Sequence, residues 1–257
     1  MKDSISDMDS YLGVVKAAVA DDSVFSKFKT YPGYTEILEH VSYDQGLAYL
    51  HNIEEFSPEL LEDIHKFSEN DLQGSPVVYQ YSVGSISPTT LRYIKVLSDL
   101  ITYYGSLDGM DIVEIGCGYG GQSKIICEKF NVASYTYIDL PDVINLISKY
   151  TSSILPNQNK VMIPYKEMGG MVKDSYDLII SNYAFTECTV ELQNKYIDSV
   201  LNRSKRGYIT CNFVSGLFNM ESLTLEAIRE TVDHKTEVSD EVPLTFKGNC
   251  ILHWGTN

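Results

Sequence analysis

The chain has 257 residues, of which 44% are hydrophobic and 21% charged, and this composition predicts a globular protein with a sizeable core. Acidic residues outnumber basic residues 35 to 20, and the formal net charge of −15 argues against nucleic acid as a partner, because phosphate would be repelled. The sequence shows no signal peptide and no apolar run near the ~20 residues of a membrane span, so we expect a soluble cytoplasmic protein without membrane contact.

The first part of the chain has the apolar spacing of helices, near 3.6 residues. The segments with this spacing are 9–22, 44–53, 57–67 and 88–105. A loop at 73–88 separates the first three segments from the fourth. We predict that residues 1–88 form a mainly helical cap over the open edge of a sheet built by residues 89–257, a common place for a ligand cleft.

From residue 110 onward, apolar runs of strand length alternate with helical segments. The predicted strands are 111–115, 134–139, 160–165, 176–181 and 207–213. The predicted helices are 121–130, 142–150, 190–204 and 221–234. This alternation predicts a parallel sheet with helices on both faces.

The end of the chain breaks the alternation. Two strand-like runs, 236–246 and 249–255, follow the last helix, and residues 247–248 between them suit a hairpin. A mostly parallel sheet closed by an antiparallel C-terminal hairpin is typical of Rossmann-like methyltransferases, whereas dinucleotide-binding folds end with another parallel strand. The sequence therefore predicts an α/β fold of the methyltransferase kind.

The five cysteines are scattered and include no C-x-x-C pair. We interpret them as reduced core residues, since their spacing fits neither a disulfide frame nor a zinc site. The chain also lacks an H-x-x-H motif and paired aspartates at the predicted site edge, so no metal ligand is predicted.

The stretch 114-EIGCGYGGQSK-124 joins the first predicted strand of the sheet to a helix. Gly116, Gly118 and Gly121 match the G-x-G-x-x-G pattern of dinucleotide-binding loops. The same loop also matches the E-x-G-x-G-x-G pattern of S-adenosylmethionine-binding loops, through Glu114, Gly116, Gly118 and Gly120. Glycines permit a tight turn and remove side chains that would block a ligand, so the glycines alone leave both cofactors open.

Two acidic residues flank this loop. Asp139 ends the second strand, where an acid would accept hydrogen bonds from the ribose hydroxyls of either cofactor; alternatively, it caps the helix that begins at Pro141 or Asp142. Glu114 would accept a hydrogen bond from the ammonium group of S-adenosylmethionine, and a dinucleotide has no cation to place there. Glu114 and the terminal hairpin therefore favour S-adenosylmethionine as the cofactor.

Several segments resemble a known family. They are 111-DIVEIGCGYGGQSKII-126, 137-YIDLPDV-143, 177-DLIISNYAFTEC-188 and 206-RGYITCNF-213. Together they are similar to a family of S-adenosylmethionine-dependent sugar O-methyltransferases, over a range from about Gly74 to the terminal hairpin. The resemblance implies methyl transfer to a hydroxyl of a small-molecule sugar or nucleotide sugar, and it names neither the sugar nor the hydroxyl.

Methyl transfer from a sulfonium needs an aligned nucleophile and a group that removes the hydroxyl proton. Glu187, in the loop after the fourth strand, is the predicted base; alternatively, it is an acid near the N-terminus of the following helix. Asn182 and Tyr183 in that loop are predicted to contact the cofactor or the acceptor, as is Asn212 after the fifth strand. Phe185 is predicted to pack against one of the two ligands.

Further contacts are predicted from flanking elements. Arg92, on the helix that enters the core, is predicted to bind the cofactor carboxylate, or else it is an ordinary surface arginine. Leu140 and Ser181 are assigned to the cofactor. Tyr79 and Tyr81 would stack on a sugar face, or would pack the cap on the core.

The histidines are weaker candidates for the base. His234 and His253 are predicted to lie at the far edge of the sheet and to be structural. His40, His51 and His65, all in the cap, are second choices after Glu187. The leading functional hypothesis is thus an O-methyltransferase, and the alternatives are an NAD(P)-dependent oxidoreductase and an S-adenosylmethionine-binding module without catalysis.

Overall fold

Nine strands form two sheets in the computed structural model, which describes residues 2–256. The strands are β1 (Tyr79–Tyr81), β2 (Gly84–Ile86), β3 (Asp111–Ile115), β4 (Ser134–Asp139), β5 (Lys160–Pro164), β6 (Tyr176–Asn182), β7 (Ser204–Cys211), β8 (Glu237–Asp240) and β9 (Cys250–Trp254). Strands β1 and β2 pair as a small hairpin. The other seven form one sheet in the order β5-β4-β3-β6-β7-β9-β8.

Only β9 runs against its neighbours in the large sheet, where it is antiparallel to both β7 and β8. The remaining pairs, β3 with β4, β3 with β6, β4 with β5, and β6 with β7, are parallel. The strand order reverses between β4 and β6 on either side of β3, and ligands bind outside the carboxyl ends of strands at such a point. The predicted Rossmann-like methyltransferase sheet is confirmed.

Helices cover both faces of this sheet and build the cap. They are α1 (Asp9–Ala20), α2 (Asp22–Phe25), α3 (Pro32–Thr35), α4 (Tyr43–Phe56), α5 (Ile64–Phe67), α6 (Pro88–Tyr104), α7 (Gly121–Lys129), α8 (Pro141–Ile154), α9 (Met168–Met171), α10 (Val190–Ser199) and α11 (Leu225–Thr231). Local sequence sets several of their ends. Helix α6, for example, starts where the Ser87 hydroxyl accepts from the Thr90 N–H at 3.1 Å, and it stops at Gly105, which has a φ of 72°.

The cap does not have a hydrophobic core of its own. Val15, Phe28 and Leu50 from the cap belong to the same buried cluster as Leu91 of α6 and Ile112 of β3. A second cluster fills the opposite face of the sheet. Residues 2–88 are therefore held against the sheet by shared apolar burial, which fixes the cap side of any cleft at the sheet edge.

Several predicted elements differ from the structure. The helix predicted at 190–204 ends at Ser199, because residues 204–206 pair with β6 and start β7. The loop predicted at 73–88 contains the β1–β2 hairpin, in which the Tyr81 hydroxyl donates to the Tyr43 carbonyl at 3.2 Å. The two strands at the end of the chain are joined by residues 241–249, and not by a two-residue turn.

Candidate functional site

A cleft of about 340 Å³ lies at the carboxyl ends of the parallel strands. Residues that end or follow β3, β4, β6 and β7 line its floor, and Asn249 just before β9 completes the floor. The cap contributes Leu38, His40 and Tyr49, and the N-terminal segment contributes Ser4. The cleft is therefore enclosed by parts of the chain that are far apart in sequence.

The glycine loop forms one end of the cleft. Gly116 and Gly118 line it and have φ angles of 72° and 59°, which favour glycine. A Cβ on Gly116 would lie 2.0 Å from Ala184 Cβ, and one on Gly118 would lie 2.9 Å from Leu38 Cδ1. The glycines thus let the loop approach the neighbouring loop and the cap, besides leaving room for a ligand.

Asp139 holds the glycine loop in place. Its Oδ2 accepts from the Gly118 N–H at 3.2 Å, and its Oδ1 accepts from the Leu140 N–H at 2.7 Å. The alternative role as a helix cap is wrong, since Leu140 is the N-cap residue of α8 and no side chain caps that helix. Burial raises the pKa of Asp139 to about 7, although these backbone N–H groups lower it. Asp139 also lines the cleft together with Leu140.

Glu114 is a buried acid on the floor of the cleft. It is 2% exposed, and its Oε2 accepts from the Tyr135 hydroxyl at 2.7 Å. Burial raises the pKa of Glu114 to about 8, and the nearby Asp139 carboxylate adds to the rise. No Lys, Arg or His in residues 2–256 forms a salt bridge with Glu114. A cation in the cleft would therefore find an acid with no charged partner.

Glu187 faces the cleft from the loop after β6. Its Oε1 accepts from Asn212 Nδ2 at 2.6 Å, and Asn212 Oδ1 in turn accepts from the Thr186 hydroxyl at 3.1 Å. Thr189 caps α10 and Glu191 is the acid in the first turn of that helix, so Glu187 lies before α10 and is not its cap. Burial raises the pKa of Glu187, which makes its carboxylate a stronger proton acceptor than that of an exposed glutamate.

Asn182, the last residue of β6, and Tyr183, the first residue after it, also line the cleft. Tyr183 has a φ of 68°, an uncommon value for a residue with a side chain, and its hydroxyl donates to the Glu241 carboxylate. The backbone N–H of Tyr183 donates to the Thr210 carbonyl at 2.8 Å. The strained tyrosine is thus held from both its backbone and its side chain.

Arg92 enters the cleft from α6 and is not an ordinary surface arginine. Its guanidinium lies 5.8 Å from the centre of the Tyr93 ring and 5.9 Å from that of Tyr183. Within residues 2–256 it has neither a salt bridge nor a side-chain hydrogen bond. A cation without a carboxylate partner in a cleft is suited to an anionic group of a ligand.

Five residues that were predicted to contact a ligand do not line the cleft, and three of them have structural roles. Ser181 is fully buried, where its hydroxyl donates to the Ile115 carbonyl at 3.0 Å and positions the loop after β6. Phe185 is fully buried in the cluster on the opposite face of the sheet. Gly120, with φ 93°, is the N-cap of α7 and faces α8. The predicted ligand contacts of these three residues are corrected to structural roles.

The two tyrosines predicted to stack on a sugar are also misplaced. Tyr81 is buried and stacks on Tyr43 at 5.0 Å, and Tyr79 lies at the surface beside the same ring. Neither lines the cleft. The predicted stacking on a sugar is corrected to packing against Tyr43 within the cap, which also differs from the stated alternative of packing the cap on the core.

Of the five histidines, only His40 lines the cleft. His253 stacks on Tyr103, and His234 stacks on Trp254, both away from the cleft. His51 and His65 lie exposed on the cap. The predicted placement of His234 and His253 is confirmed, and His40 is the one second choice for the base that remains near the site.

Several cleft residues were missed in the sequence. They include Ser4, Ser6, Tyr11, Leu38, Tyr49, Tyr93, Tyr165 and Thr245. The N-terminal segment reaches the cleft because the Ile5 N–H donates to the Glu187 carbonyl at 3.0 Å and the Thr189 N–H donates to the Asp3 carbonyl at 3.0 Å. The sequence carries no periodic signal for these contacts, since they join elements that are distant along the chain.

No group of three or more His, Cys, Asp or Glu side chains within residues 2–256 is arranged to hold a metal ion. Over the same residues, no helix has both the length and the apolar character needed to cross a membrane.

The protein without ligand is expected to lose stability as the pH rises from about 5 to about 8. The pKa of Glu114 rises from 4.5 to about 8 in the folded protein, and that of Asp139 from 3.8 to about 7. A raised acid pKa gives stability that is present below the ordinary pKa and is lost as the pH passes the folded-state pKa. Melting temperatures measured across this range check the decline. A slope that is the same in Glu114→Gln as in the unaltered protein would contradict the assignment to Glu114.

No protein-family model matches the chain, and no curated protein matches it. Among solved structures, the PH0226 protein from Pyrococcus horikoshii OT3 aligns with a TM-score of 0.51 and 10% identity, over 65% of this chain and 90% of that one. An S-adenosylmethionine-dependent methyltransferase from Clostridium acetobutylicum ATCC 824 aligns with a TM-score of 0.48 and 12% identity, over 65% of this chain and 90% of its own.

Magnesium protoporphyrin IX methyltransferase from Synechocystis PCC 6803, solved with S-adenosylmethionine bound, aligns with a TM-score of 0.48 and 12% identity. That alignment covers 83% of this chain and 97% of the other. At such identities the likenesses concern the fold. The chain has an α/β fold with a mostly parallel seven-stranded sheet, and it shares this fold with the Pyrococcus horikoshii protein.

Proposed function

We propose that the protein is an S-adenosylmethionine-dependent O-methyltransferase that acts on a hydroxyl of a sugar or sugar-containing metabolite. One observation carries this proposal. A single cleft joins an acid and glycine loop at the ends of β3 and β4 to the hydrogen-bonded pair of Glu187 and Asn212 beside β6 and β7. The first set suits the cofactor, and the second suits an acceptor that must lose a proton.

The residues at the ends of β3 and β4 fit S-adenosylmethionine. Glu114, buried and without a charged partner, would bind the ammonium group, and Arg92 would bind the carboxylate. Asp139 would accept from ribose hydroxyls while it holds the Gly118 N–H. When bound, the cofactor supplies a methyl group activated for in-line displacement by its sulfonium.

Glu187 is the group placed to take the proton of the attacking hydroxyl. Asn212 donates to one of its carboxylate oxygens, which leaves the other free to accept from an acceptor hydroxyl. The raised pKa of Glu187 lets the carboxyl hold that proton once it has moved. Asn212 is a positioning residue, because it acts on the acceptor through Glu187.

The acceptor side of the cleft is rich in groups that pair with hydroxyls. Asn182, Thr245 and Asn249 all line it, and amides both donate and accept hydrogen bonds. A sugar presents several hydroxyls in fixed directions, which this set can satisfy. The resemblance of the segments around β3, β6 and β7 to sugar O-methyltransferases supports the same acceptor.

Calorimetry with four ligands tests the cofactor part of the proposal. S-adenosylhomocysteine and S-adenosylmethionine should bind, and NAD⁺ and NADP⁺ should not. Transfer of a labelled methyl group from S-adenosylmethionine to a pool of sugars and nucleotide sugars then tests the acceptor. Binding of a nicotinamide cofactor alone would support the oxidoreductase, and binding of S-adenosylmethionine without transfer to any sugar would contradict the acceptor assignment.

The affinity for S-adenosylhomocysteine is expected to rise by roughly tenfold or more between about pH 6 and pH 8. In the free protein the Glu114 carboxyl has a pKa of about 8 and is mostly protonated at the lower pH. Binding of the ammonium group requires the carboxylate, so a proton must leave before the contact forms. Calorimetry at several pH values, in buffers of different ionisation enthalpy, measures both the affinity and the released proton.

A matched ligand isolates the contribution of Glu114. 5′-Methylthioadenosine has the same adenosine part as S-adenosylhomocysteine but no ammonium group, so its affinity should depend less on pH. The variant Glu114→Gln keeps an acceptor for the Tyr135 hydroxyl and should remove the difference between the two ligands. An equal pH dependence for both ligands in the unaltered protein would show that Glu114 does not bind the ammonium group.

A further inference from the structure

The order of the sheet divides the cleft into two halves. The cofactor half lies over β3 and β4, where Glu114, the glycine loop and Asp139 are found. The acceptor half lies over β6, β7 and β9, on the other side of β3. Two loops border this half: residues 212–224 after β7, and residues 241–249 before β9. Val214 from the first loop and Phe246 from the second line the same cleft.

These two loops expose large apolar side chains at or close in sequence to residues that line the acceptor half, such as Asn212, Val214 and Phe246. Phe213 is 41% exposed, Leu217 76%, Leu244 60% and Phe246 55%; we call these four residues the apolar rim. The Leu217 N–H donates to the Val214 carbonyl at 2.9 Å, so Leu217 lies within one turn of the cleft wall. Single exposed apolar residues are ordinary, whereas several around one cleft mark a binding surface.

The loop that carries Leu244 and Phe246 is held in a fixed shape. Glu241 is 5% exposed, and its carboxylate accepts from the Thr245 N–H at 2.8 Å and from Asn249 Nδ2 at 3.0 Å. The Thr245 and Tyr183 hydroxyls donate to the same carboxylate. Four hydrogen-bond donors on one buried acid order the loop, so the chain presents the two apolar side chains to solvent in a defined position.

The net charge of the protein limits which kinds of molecule can bind at the apolar rim. The protein carries a formal charge of −15, which opposes docking on an anionic membrane surface and also opposes close approach of a second copy. A small amphipathic molecule with its polar part in the cleft meets no such repulsion. The amides and Glu187 on the floor, with apolar side chains at the mouth, match a molecule that is hydroxylated at one end and apolar at the other.

We infer that the acceptor is amphipathic: its hydroxylated part lies beside Glu187 and Asn212, and an attached apolar chain or ring system leaves the cleft over the apolar rim. This inference rests on the proposed function, because it names the class of molecule that the same site accepts. It makes the rim a determinant of acceptor affinity. The cofactor half, over β3 and β4, is separate from it.

Alkyl glucosides test the inference. Octyl β-D-glucoside and methyl β-D-glucoside, both below the concentration at which the octyl compound forms micelles, are titrated by calorimetry into protein saturated with S-adenosylhomocysteine. The octyl compound should bind at least about tenfold more tightly, because its methylene groups leave water at the rim. The double variant Leu244→Ser/Phe246→Ser should remove most of that difference.

The matched control is a second double variant, in which an exposed leucine and an exposed phenylalanine outside the apolar rim are replaced. Leu72 and Phe56 are 77% and 59% exposed on the cap and do not line the cleft, so Leu72→Ser/Phe56→Ser should keep the preference for the octyl compound. Melting temperatures of both double variants confirm that they are folded. Equal affinities of the two glucosides, no binding of either, or equal loss of the preference in both variants would overturn the inference.

Two further measurements test whether the apolar rim binds a second copy of the protein or a membrane instead of the acceptor. If sedimentation shows a dimer that only the rim variant loses, or if only the rim variant stops binding phosphatidylcholine vesicles, then the rim is an interface for a second copy or for a membrane and the inference is wrong. The titration with S-adenosylhomocysteine in the same samples reports on the proposed function itself. If S-adenosylhomocysteine does not bind, the proposed cofactor is wrong. If it binds but the octyl and methyl glucosides bind equally well, the proposed acceptor class is wrong.

Discussion

Replacing Glu187 with glutamine is expected to lower the turnover of methyl transfer by about 10²–10⁴-fold, the usual contribution of general base catalysis, and to leave the affinity for S-adenosylhomocysteine nearly unchanged. Glutamine keeps the size of the side chain and an oxygen that can accept a hydrogen bond from Asn212. In the unaltered protein, Asn212 Nδ2 lies 2.6 Å from Glu187 Oε1. It cannot take up a proton from the acceptor. Single-turnover measurements with labelled S-adenosylmethionine separate the chemical step from binding.

The helix α10 supplies a matched control for this variant. Glu191 lies in the first turn of α10, outside the cleft, so Glu191→Gln removes a nearby negative charge without touching the acceptor. It should leave turnover within about twofold and change stability by less than ~1 kcal/mol. Normal turnover in Glu187→Gln would show that another group takes the proton, and His40 would be the next residue to substitute because it lines the same cleft.

The second large effect is expected at Asp139. Replacing it with alanine should weaken the binding of S-adenosylhomocysteine by one to two orders of magnitude, which corresponds to ~1.5–3 kcal/mol for hydrogen bonds to a charged group. Two losses contribute: the contact with ribose hydroxyls, and the bond from the Gly118 N–H that orders the glycine loop. Calorimetry with the purified variant gives the affinity directly.

A double-mutant cycle separates these two contributions. 5′-Methylthioadenosine is compared with its 2′-deoxy and 3′-deoxy analogues in the unaltered protein and in Asp139→Ala. If Asp139 accepts from the ribose, the missing hydroxyl should matter in the unaltered protein and not in the variant. Asp142→Ala is the control, since Asp142 is the acid in the first turn of α8 and pairs with Lys16 outside the cleft. Equal losses in both proteins would mean that Asp139 serves only the loop.

Local sequence patterns were sufficient for much of the architecture. The alternation of apolar runs and helical segments after residue 110 predicted strands that agree with β3 to β7 within a few residues, because burial of both sheet faces demands continuous apolar strands. The order of strand, glycine loop and acid also placed Glu114, Gly118 and Asp139 at one edge of the sheet. Glu187 and Asn212 follow parallel strands, so their meeting at that edge was predictable too.

Local sequence patterns could not predict the contacts between distant parts of the chain. Phe185 and Tyr183 are two residues apart in one loop, yet Phe185 is buried in the far cluster and Tyr183 lines the cleft, because a φ of 68° at Tyr183 turns the chain between them. The loop 241–249 was read as strand and turn, since nothing local shows that the Glu241 carboxylate would gather donors from Tyr183 and Thr245.

The sequence by itself thus determined the fold class, the floor of the cleft and the chemistry of its acids, all of which depend on spacing within one strand–loop–helix unit. Only the tertiary structure shows which residues of the cap cover the cleft and which residues line its acceptor half. Leu38 meets Gly118 and Ser4 reaches the loop at Glu187 only because the cap and the N-terminal segment share burial and backbone hydrogen bonds with the sheet. Those contacts arise from packing of elements that are far apart along the chain, and no residue spacing encodes which of them will touch.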